Sequence, residues 1–300
     1  MKKIAILLTC HNRKEKTINC LISLYKVLES TTKINSDIYL VDDGSTDGTS
    51  MEISSRFPEI NLIHGSGELY WASGMRLAWE TALNKQENYD SFLLLNDDVI
   101  LLDNFLNDLL STHQYCLQHY VQPGIYVSST KDIINSRPTY GGLLLKNQGL
   151  KIKTTRLNPG KVPQECTLTN ANILMVTMAV VRSIGILDSH YKHQFADYDY
   201  SFTASKKGIP VLLCPGYGGI CADDHGKNWL PANSSLKERI KYLKSPTGLA
   251  YKEHLYYLKK NFKFQFPYYF AMLWLKTIFP FIWDKFKKRS AKIYVNESVG

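Results

Sequence analysis

The 300-residue chain has no GxxxxGK[ST] loop, no GxGxxG and no GxSxG. Their absence argues against P-loop, Rossmann-dinucleotide and α/β-hydrolase chemistry. None of the six cysteines, Cys10, Cys20, Cys116, Cys166, Cys214 and Cys221, forms a CxxC pair. A domain this large needs no disulfide staples, so a reduced cytosolic setting is expected. There is no HExxH spacing among the histidines, no internal repeat and no long low-complexity tract. A solenoid is therefore not expected, and most of the chain should fold. The basic residues form no recognisable nucleic-acid module, so a nucleic-acid partner is not expected.

Hydrophobic residues make up 44% of the chain, enough for one large domain or one domain with an appendage. The net charge of +9 points to an anionic partner. Its excess lies late, in "SLKERIKYLKS" and "WDKFKKRSAK", which favours a surface or membrane role. The opening "MKKIAILLTCHNRKEK" has an apolar run too short for a secretory h-region and reads as a first strand.

The first 130 residues alternate strand and helix patterns. "KIAILLT", "SDIYLVDD", "INLIHG", "DSFLLLNDD" and "GIYVSST" read as strands. Between them, Ile18, Leu21, Ile22, Tyr25 and Leu28 have helical spacing, "STDGTSMEISSRF" opens with N-cap residues, and "WASGMRLAWETALNK" continues the pattern. "DNFLNDLLSTHQYCLQH" is a further helix that Asp103 could cap. This order predicts an α/β fold with a mostly parallel sheet flanked by helices. The second half is less regular: a hairpin at "TYGGLLLKN", a short helix ending near Gly185, a helix stopped at Gly208 and the strand "PVLLCP". From about Leu236 the chain is helical and basic.

Three strands end in polar clusters: Cys10-His11-Asn12-Arg13, Asp42-Asp43-Gly44-Ser45 and Asn96-Asp97-Asp98. Ligands of parallel sheets sit beyond the carboxyl ends of strands, so the three should share one crevice. Adjacent Asp97 and Asp98 suit Mg²⁺ or Mn²⁺, or else a helix-capping turn. The Asp42-Asp43 pair could accept from a nucleoside, and Ser45 could cap a turn at the same time. Asp197 and Asp199 near a helix start are either dipole-stabilised acids or include a general base. His225, in "CADDHGKNW", is a candidate metal ligand or an ordinary loop histidine.

Together "LLTCHNR", "VDDGSTDGT", "GELYWASGMRLAW", "LLLNDDV", "FADYDYSFTASKKG" and "DDHG" resemble family 2 glycosyltransferases of the GT-A fold, over about residues 3–230. "HQFADYDYSFTASKKGIPVLLCPGYGG" is similar to the bacterial rhamnosyltransferase-like branch that builds surface polysaccharides. The resemblance implies inverting transfer from a nucleotide-diphosphate sugar to a saccharide or lipid-linked acceptor, with Mn²⁺ or Mg²⁺. It implies that Thr9, His11, Arg13, Asp42, Asp43 and Asp97 bind the nucleotide. Trp71, Gly74, Arg76 and Asn96 fall to the donor sugar, and Asp98 and His225 to the metal. Asp197 matches the catalytic base and Asp199 a supporting acid. The chain departs from the family in having Asn96 at the first DxD position and Arg76 where Asn is frequent. It also lacks the QxxRW of processive synthases, so transfer of one or a few sugars is expected. On this basis residues 1–233 form the GT-A domain, with a nucleotide-binding half at 1–130 and an acceptor half at 131–233. Residues 234–300 form a basic, aromatic, helical C-terminal region.

That region carries "FKFQFPYYFAMLWLKTIFPFIWDKFKKRSAK". Lys276, Pro267 and Pro280 weaken a membrane span, whereas aromatics with lysines fit a helix in the membrane interface. Packing on the catalytic domain or on a second copy is the other reading, and self-association stays open. An enzyme peripheral to the cytoplasmic membrane face is expected. Two alternatives remain: a sugar nucleotidyltransferase, whose glycine-rich first loop "TCHNRKEK" does not match, and a non-catalytic nucleotide-sugar-binding subunit.

Overall fold

The computed structural model describes residues 3–31, 34–85, 87–222 and 233–282. These divide into two compact units, one of residues 3–146 and 153–222, the other of 147–152 and 233–282. The first opens with β1 (Lys3–Cys10), α1 (Lys14–Ser30), β2 (Asn35–Asp42), α2 (Thr49–Arg56), β3 (Asn61–His64), α3 (Tyr70–Asn84), β4 (Ser91–Leu95), β5 (Ile100–Leu101), α4 (Phe105–Tyr120) and β6 (Ile125–Lys131). The chain continues through β7 (Pro138–Tyr140), β8 (Gly142–Gln148), β9 (Lys151–Arg156), β10 (Gln164–Glu165), β11 (Leu168–Thr169), β12 (Ile173–Thr177), α5 (Met178–Ile184), α6 (Ala196–Lys206) and β13 (Val211–Ile220).

The main sheet runs β10-β13-β6-β12-β4-β1-β2-β3, with β5 on β13 and β7 on β6; β11-β8-β9 form a small second sheet. β3, β2, β1 and β4 are parallel, as are β6 and β13. The continuous apolar run of β1 is explained by cover on both faces. Ile4, Ile6 and Leu8 join Ile18, Leu21 and Leu24 of α1 in one buried cluster, while α3 packs on β1 and β2 with Met75, Ala78 and Trp79 buried. Each such side chain contributes about 1.5–3 kcal/mol relative to exposure, against a few tenths for a surface ion pair, so this layering sets the sheet's position.

The sheet departs from the expected pattern at β12. It inserts antiparallel between β4 and β6, pairing Ile173 with Leu95 and Leu174 with Val127. Its apolar sequence serves either direction, so only the chain's path decides it. Two caps also differ. Asp103 does not cap α4, whose N-cap position is Asn104; Asp103 pairs with Lys26 at 2.8 Å on the surface. The N-cap position of α2 is Gly48, at φ +85°, and Asp47 accepts from Thr49 N one step earlier, at 3.1 Å.

The second unit contains α7 (Leu236–Lys244), α8 (Tyr251–Asn261) and α9 (Phe266–Ile278). Ser235 and Glu238 start α7 with a reciprocal capping box. Leu243, Leu258 and Leu273 are buried, and Trp274 Nε1 donates to Tyr251 Oη at 3.0 Å. Burial pushes His254 down to about 4, with Lys276 adding to the shift, so it is neutral at pH 7. Phe264, Phe270, Leu275, Ile278, Phe279 and Phe281 remain exposed. Among the described residues no helix is long and apolar enough to cross a membrane.

Candidate active site

Parallel pairing puts the carboxyl ends of β1, β2 and β4 on one edge, with Cys10 beside Asp42 and Leu7 beside Leu94. The antiparallel β12 starts at that same edge, because Ile173 pairs with Leu95. Residues 170–172 therefore join the three polar clusters. Asn12, at φ +49°, locks the first two together. Its N–H donates to Ser45 Oγ at 2.8 Å and its Oδ1 accepts from Thr46 N at 2.8 Å. The His11 ring is exposed, with Nδ1 2.6 Å from the Asp43 carbonyl. A carbonyl only accepts, so Nδ1 carries the proton.

Asp42 and Asp43 are buried, and their carboxylates serve the chain itself. Asp42 accepts from Ser45 N at 3.0 Å and from Ser50 Oγ. Asp43 accepts from Gly67 N at 2.8 Å, Leu69 N at 2.8 Å and Tyr70 N at 3.0 Å. Gly65 needs its bareness here, since a Cβ would lie 2.6 Å from Asp43 Oδ1. Both acids, expected at the nucleotide, thus also hold the chain together here, and Asp43 fixes the loop that enters α3.

The third cluster carries its own cation. Arg13 donates to Asp97 Oδ1 at 3.0 Å and to Asp98 Oδ2. Thr17 Oγ1 lies 3.2 Å from Asp97 Oδ2, and Cys221 Sγ lies 3.7 Å from Asp98 Oδ1. Burial pushes Asp97 up to about 6, against the pull of Arg13 and with a smaller push from Asp98. Asn96 is held twice. Its N–H donates to Asn172 O at 3.0 Å, and its Oδ1 accepts from Trp71 Nε1 at 2.8 Å. An indole can only donate, so the bond orients the Asn96 amide with its oxygen towards Trp71.

Asp197 stands at the start of α6, after Phe195 at φ +67°. Its Oδ1 accepts from Tyr198 N at 2.8 Å and its Oδ2 from Ala171 N at 3.2 Å. Among the described residues no cation pairs with it, and burial pushes its carboxyl up to about 6 against those two bonds. Ala171 and Asn172 are consecutive, so one short loop holds both Asp197 and Asn96. The structure does not bring Asp199 alongside. Positions i and i+2 of a helix point nearly opposite ways, and Asp199 is buried.

On α3, Gly74 and Arg76, expected at the donor sugar, also serve the fold. A Cβ on Gly74 would lie 2.3 Å from Thr9 Oγ1, so this glycine is what lets α3 close onto β1. Thr9 is correspondingly buried. The Arg76 guanidinium donates to the carbonyls of Asp188 and Tyr191, both at 3.2 Å, and to Ser73 Oγ. Lys192 O accepts from Ala72 N at 2.8 Å, so this end of α3 secures the loop before α6.

Sequence reasoning missed Thr17, Cys221, Asn170 and Asn172, and placed Asn12 in the first polar cluster without a partner. One signal was available: polar Thr169, Asn170 and Asn172 interrupt an otherwise apolar stretch and are buried. His225 lies outside the described residues. Among those described, no group of three or more His, Cys, Asp and Glu side chains could hold a metal ion. The donor chemistry nevertheless fits a hard divalent cation. Asp97 and Asp98 offer adjacent carboxylates, and such cations complete their shell with water and substrate phosphate oxygens.

A largely parallel sheet whose strand ends gather acids on one edge, faced by a further acid on α6, defines a GT-A glycosyltransferase. The chain belongs to glycosyl transferase family 2, whose family model matches residues 5–176. Solved structures share the fold. S. aureus TarS 1-349 in complex with UDP-GlcNAc is 15% identical, with TM-score 0.53 over 95% of this chain and 81% of that one. GalNAc-T7 with UDP, GalNAc and Mn²⁺ is 12% identical, with TM-score 0.53 over 81% and 48%. The mannosyltransferase PcManGT of Pyrobaculum calidifontis, in complex with GDP-Man and Mn²⁺, is 12% identical, with TM-score 0.50 over 81% and 64%. Comparison with curated proteins returned no match.

Proposed function

We propose that this glycosyltransferase is an inverting, divalent-metal-dependent, non-processive enzyme. In this reading it moves one hexose from a nucleotide-diphosphate donor to a saccharide or lipid-linked acceptor. The observation that carries the reading is the contrast between the acids. Asp97 and Asp98 share the Arg13 cation, whereas Asp197 has two backbone N–H donors and, among the described residues, no paired cation. Its raised carboxyl suits proton abstraction near neutral pH. Asp197 takes the acceptor hydroxyl's proton as that oxygen attacks the anomeric carbon from the face opposite the leaving nucleoside diphosphate. Asp97 and Asp98 would hold the cation, which offsets charge on the departing diphosphate when bound. The exposed His11 ring lines the nucleoside side, and the oriented Asn96 amide offers two N–H donors to the donor's phosphate or sugar.

TarS and PcManGT, solved with UDP-GlcNAc and GDP-Man, favour UDP- and GDP-sugars as first donors to test. The motif resemblance adds a rhamnose donor and a surface-polysaccharide setting. Phe270, Leu275 and Ile278 beside Lys276 support peripheral contact with an anionic membrane face. The test is nucleotide release from a panel of donors by wild type and Asp197→Asn, with Mn²⁺, with Mg²⁺ and with chelator. Metal-dependent release by wild type, lost in Asp197→Asn, is expected. Equal release by both proteins sinks the assigned base, and nucleotide-sugar binding without turnover favours a binding subunit.

A further inference from the structure

All four oxygens of the Asp97–Asp98 pair have partners within the chain: Arg13 on one oxygen of each, Thr17 on the second of Asp97, Cys221 on the second of Asp98. The Arg13 backbone is fixed, because its carbonyl accepts from Thr17 N at 2.9 Å. Its side chain is about one-third exposed, so of Arg13, Thr17 and Cys221 the guanidinium is the partner that can swing towards solvent while its own backbone stays in place. A planar guanidinium matches a diphosphate in the same two-pronged way that it matches two carboxylates.

We propose that Arg13 is an exchangeable counter-ion that couples the divalent cation to the nucleoside diphosphate. It competes with the cation for Asp97 and Asp98, and it turns to the diphosphate when that anion binds. The inference rests on the metal-dependent reading above. A cation binding without nucleotide has to break two charge-assisted bonds and then sit close to a like charge. A diphosphate removes both penalties by giving the guanidinium another anion. Metal should therefore bind weakly alone and tightly with nucleotide, and by reciprocity the metal should raise nucleotide affinity by the same factor. Asp98 is the oxygen donor freed most readily, because its other partner is a thiol, a weak donor.

The test is Mn²⁺ binding to the full chain, read by the spin-resonance signal of free Mn²⁺. Wild type, Arg13→Gln and Arg13→Lys are compared without nucleotide, with UDP and with GDP. Thermal unfolding checks that each variant is folded. Arg13→Gln should bind Mn²⁺ alone at least about tenfold tighter than wild type. The gain on adding nucleotide should shrink by a similar factor. Arg13→Lys keeps the charge but loses the fork, and should fall between the two. It carries the test if Arg13→Gln does not fold. Unchanged or weaker Mn²⁺ binding in the variants, with wild type binding Mn²⁺ in the presence of nucleotide, overturns the counter-ion role and leaves the metal reading intact. No Mn²⁺ binding by any protein under any condition overturns both.

Discussion

Asp97 and Asp197 make an instructive pair. Burial pushes both carboxyls up to about 6, yet their surroundings differ in kind. Asp97 sits in a network with an arginine, a threonine and a second acid, so its charge is shared with neighbours. Asp197 has two backbone N–H groups from Ala171 and Tyr198. The first arrangement holds a charge in place for a cationic or phosphate-bearing ligand. The second leaves a carboxylate whose best stabilisation is a proton. In the proposed reading, the same raised pKa belongs to a binding group in one place and to a proton acceptor in the other, and the partners are what distinguish them.

The largest effect should come from Asp197→Asn, which tests that distinction directly. Transfer should fall by about 10²–10⁴. Wild-type log kcat/KM should rise with pH and level off above about 6. Stability should move the other way. The folded carboxyl binds a proton more tightly than the unfolded one, so wild type loses stability as pH rises from about 4 to about 6. Asp197→Asn should therefore be more stable than wild type at pH 7, by up to about 3 kcal/mol less about 1 for the N–H facing its new amide nitrogen. The gain should vanish near pH 4 in urea unfolding. A gap between variant and wild type that is no larger at pH 7 than at pH 4 breaks the comparison.

Asp43→Ala should show what a structural acid does instead. It leaves three backbone N–H groups of the loop before α3 without their acceptor, and about 2–4 kcal/mol should be lost in the same urea measurement. Gly74→Ala should cost about 1–3 kcal/mol by forcing α3 off Thr9, and Thr9→Ala in the same chain should recover part of it. The smallest effect belongs to Trp71→Phe. Losing one bond to Asn96, worth about 1 kcal/mol, should raise the donor KM several-fold with little change in kcat. A fall in kcat with unchanged KM would assign Trp71 to the chemical step instead.

Much of this arrangement was readable from residues alone. The apolar runs ending in Cys10-His11, Asp42-Asp43 and Asn96-Asp97-Asp98 announced parallel strands with polar ends on one edge, and the pairing places them there. Asp197 at a helix start was equally visible. The duties of Asp43, Gly74 and Arg76 were not, because each depends on a partner far along the chain: the loop N–H groups up to Tyr70, the Thr9 hydroxyl and the carbonyls at 188 and 191. Local periodicity carries no information about such partners.

The sequence by itself determined which segments become strands and helices and which strand ends are polar, since both follow from local spacing and side-chain chemistry. Tertiary structure decided the rest. It turned β12 antiparallel, which brought Ala171 to Asp197 and Asn172 to Asn96. It also placed the Arg13 guanidinium across Asp97 and Asp98. The physical reason is burial. A pair of adjacent acids at the end of a buried strand must find a counter-charge or donors, and only the tertiary placement of Arg13, at the N-cap position of α1, determines which group arrives.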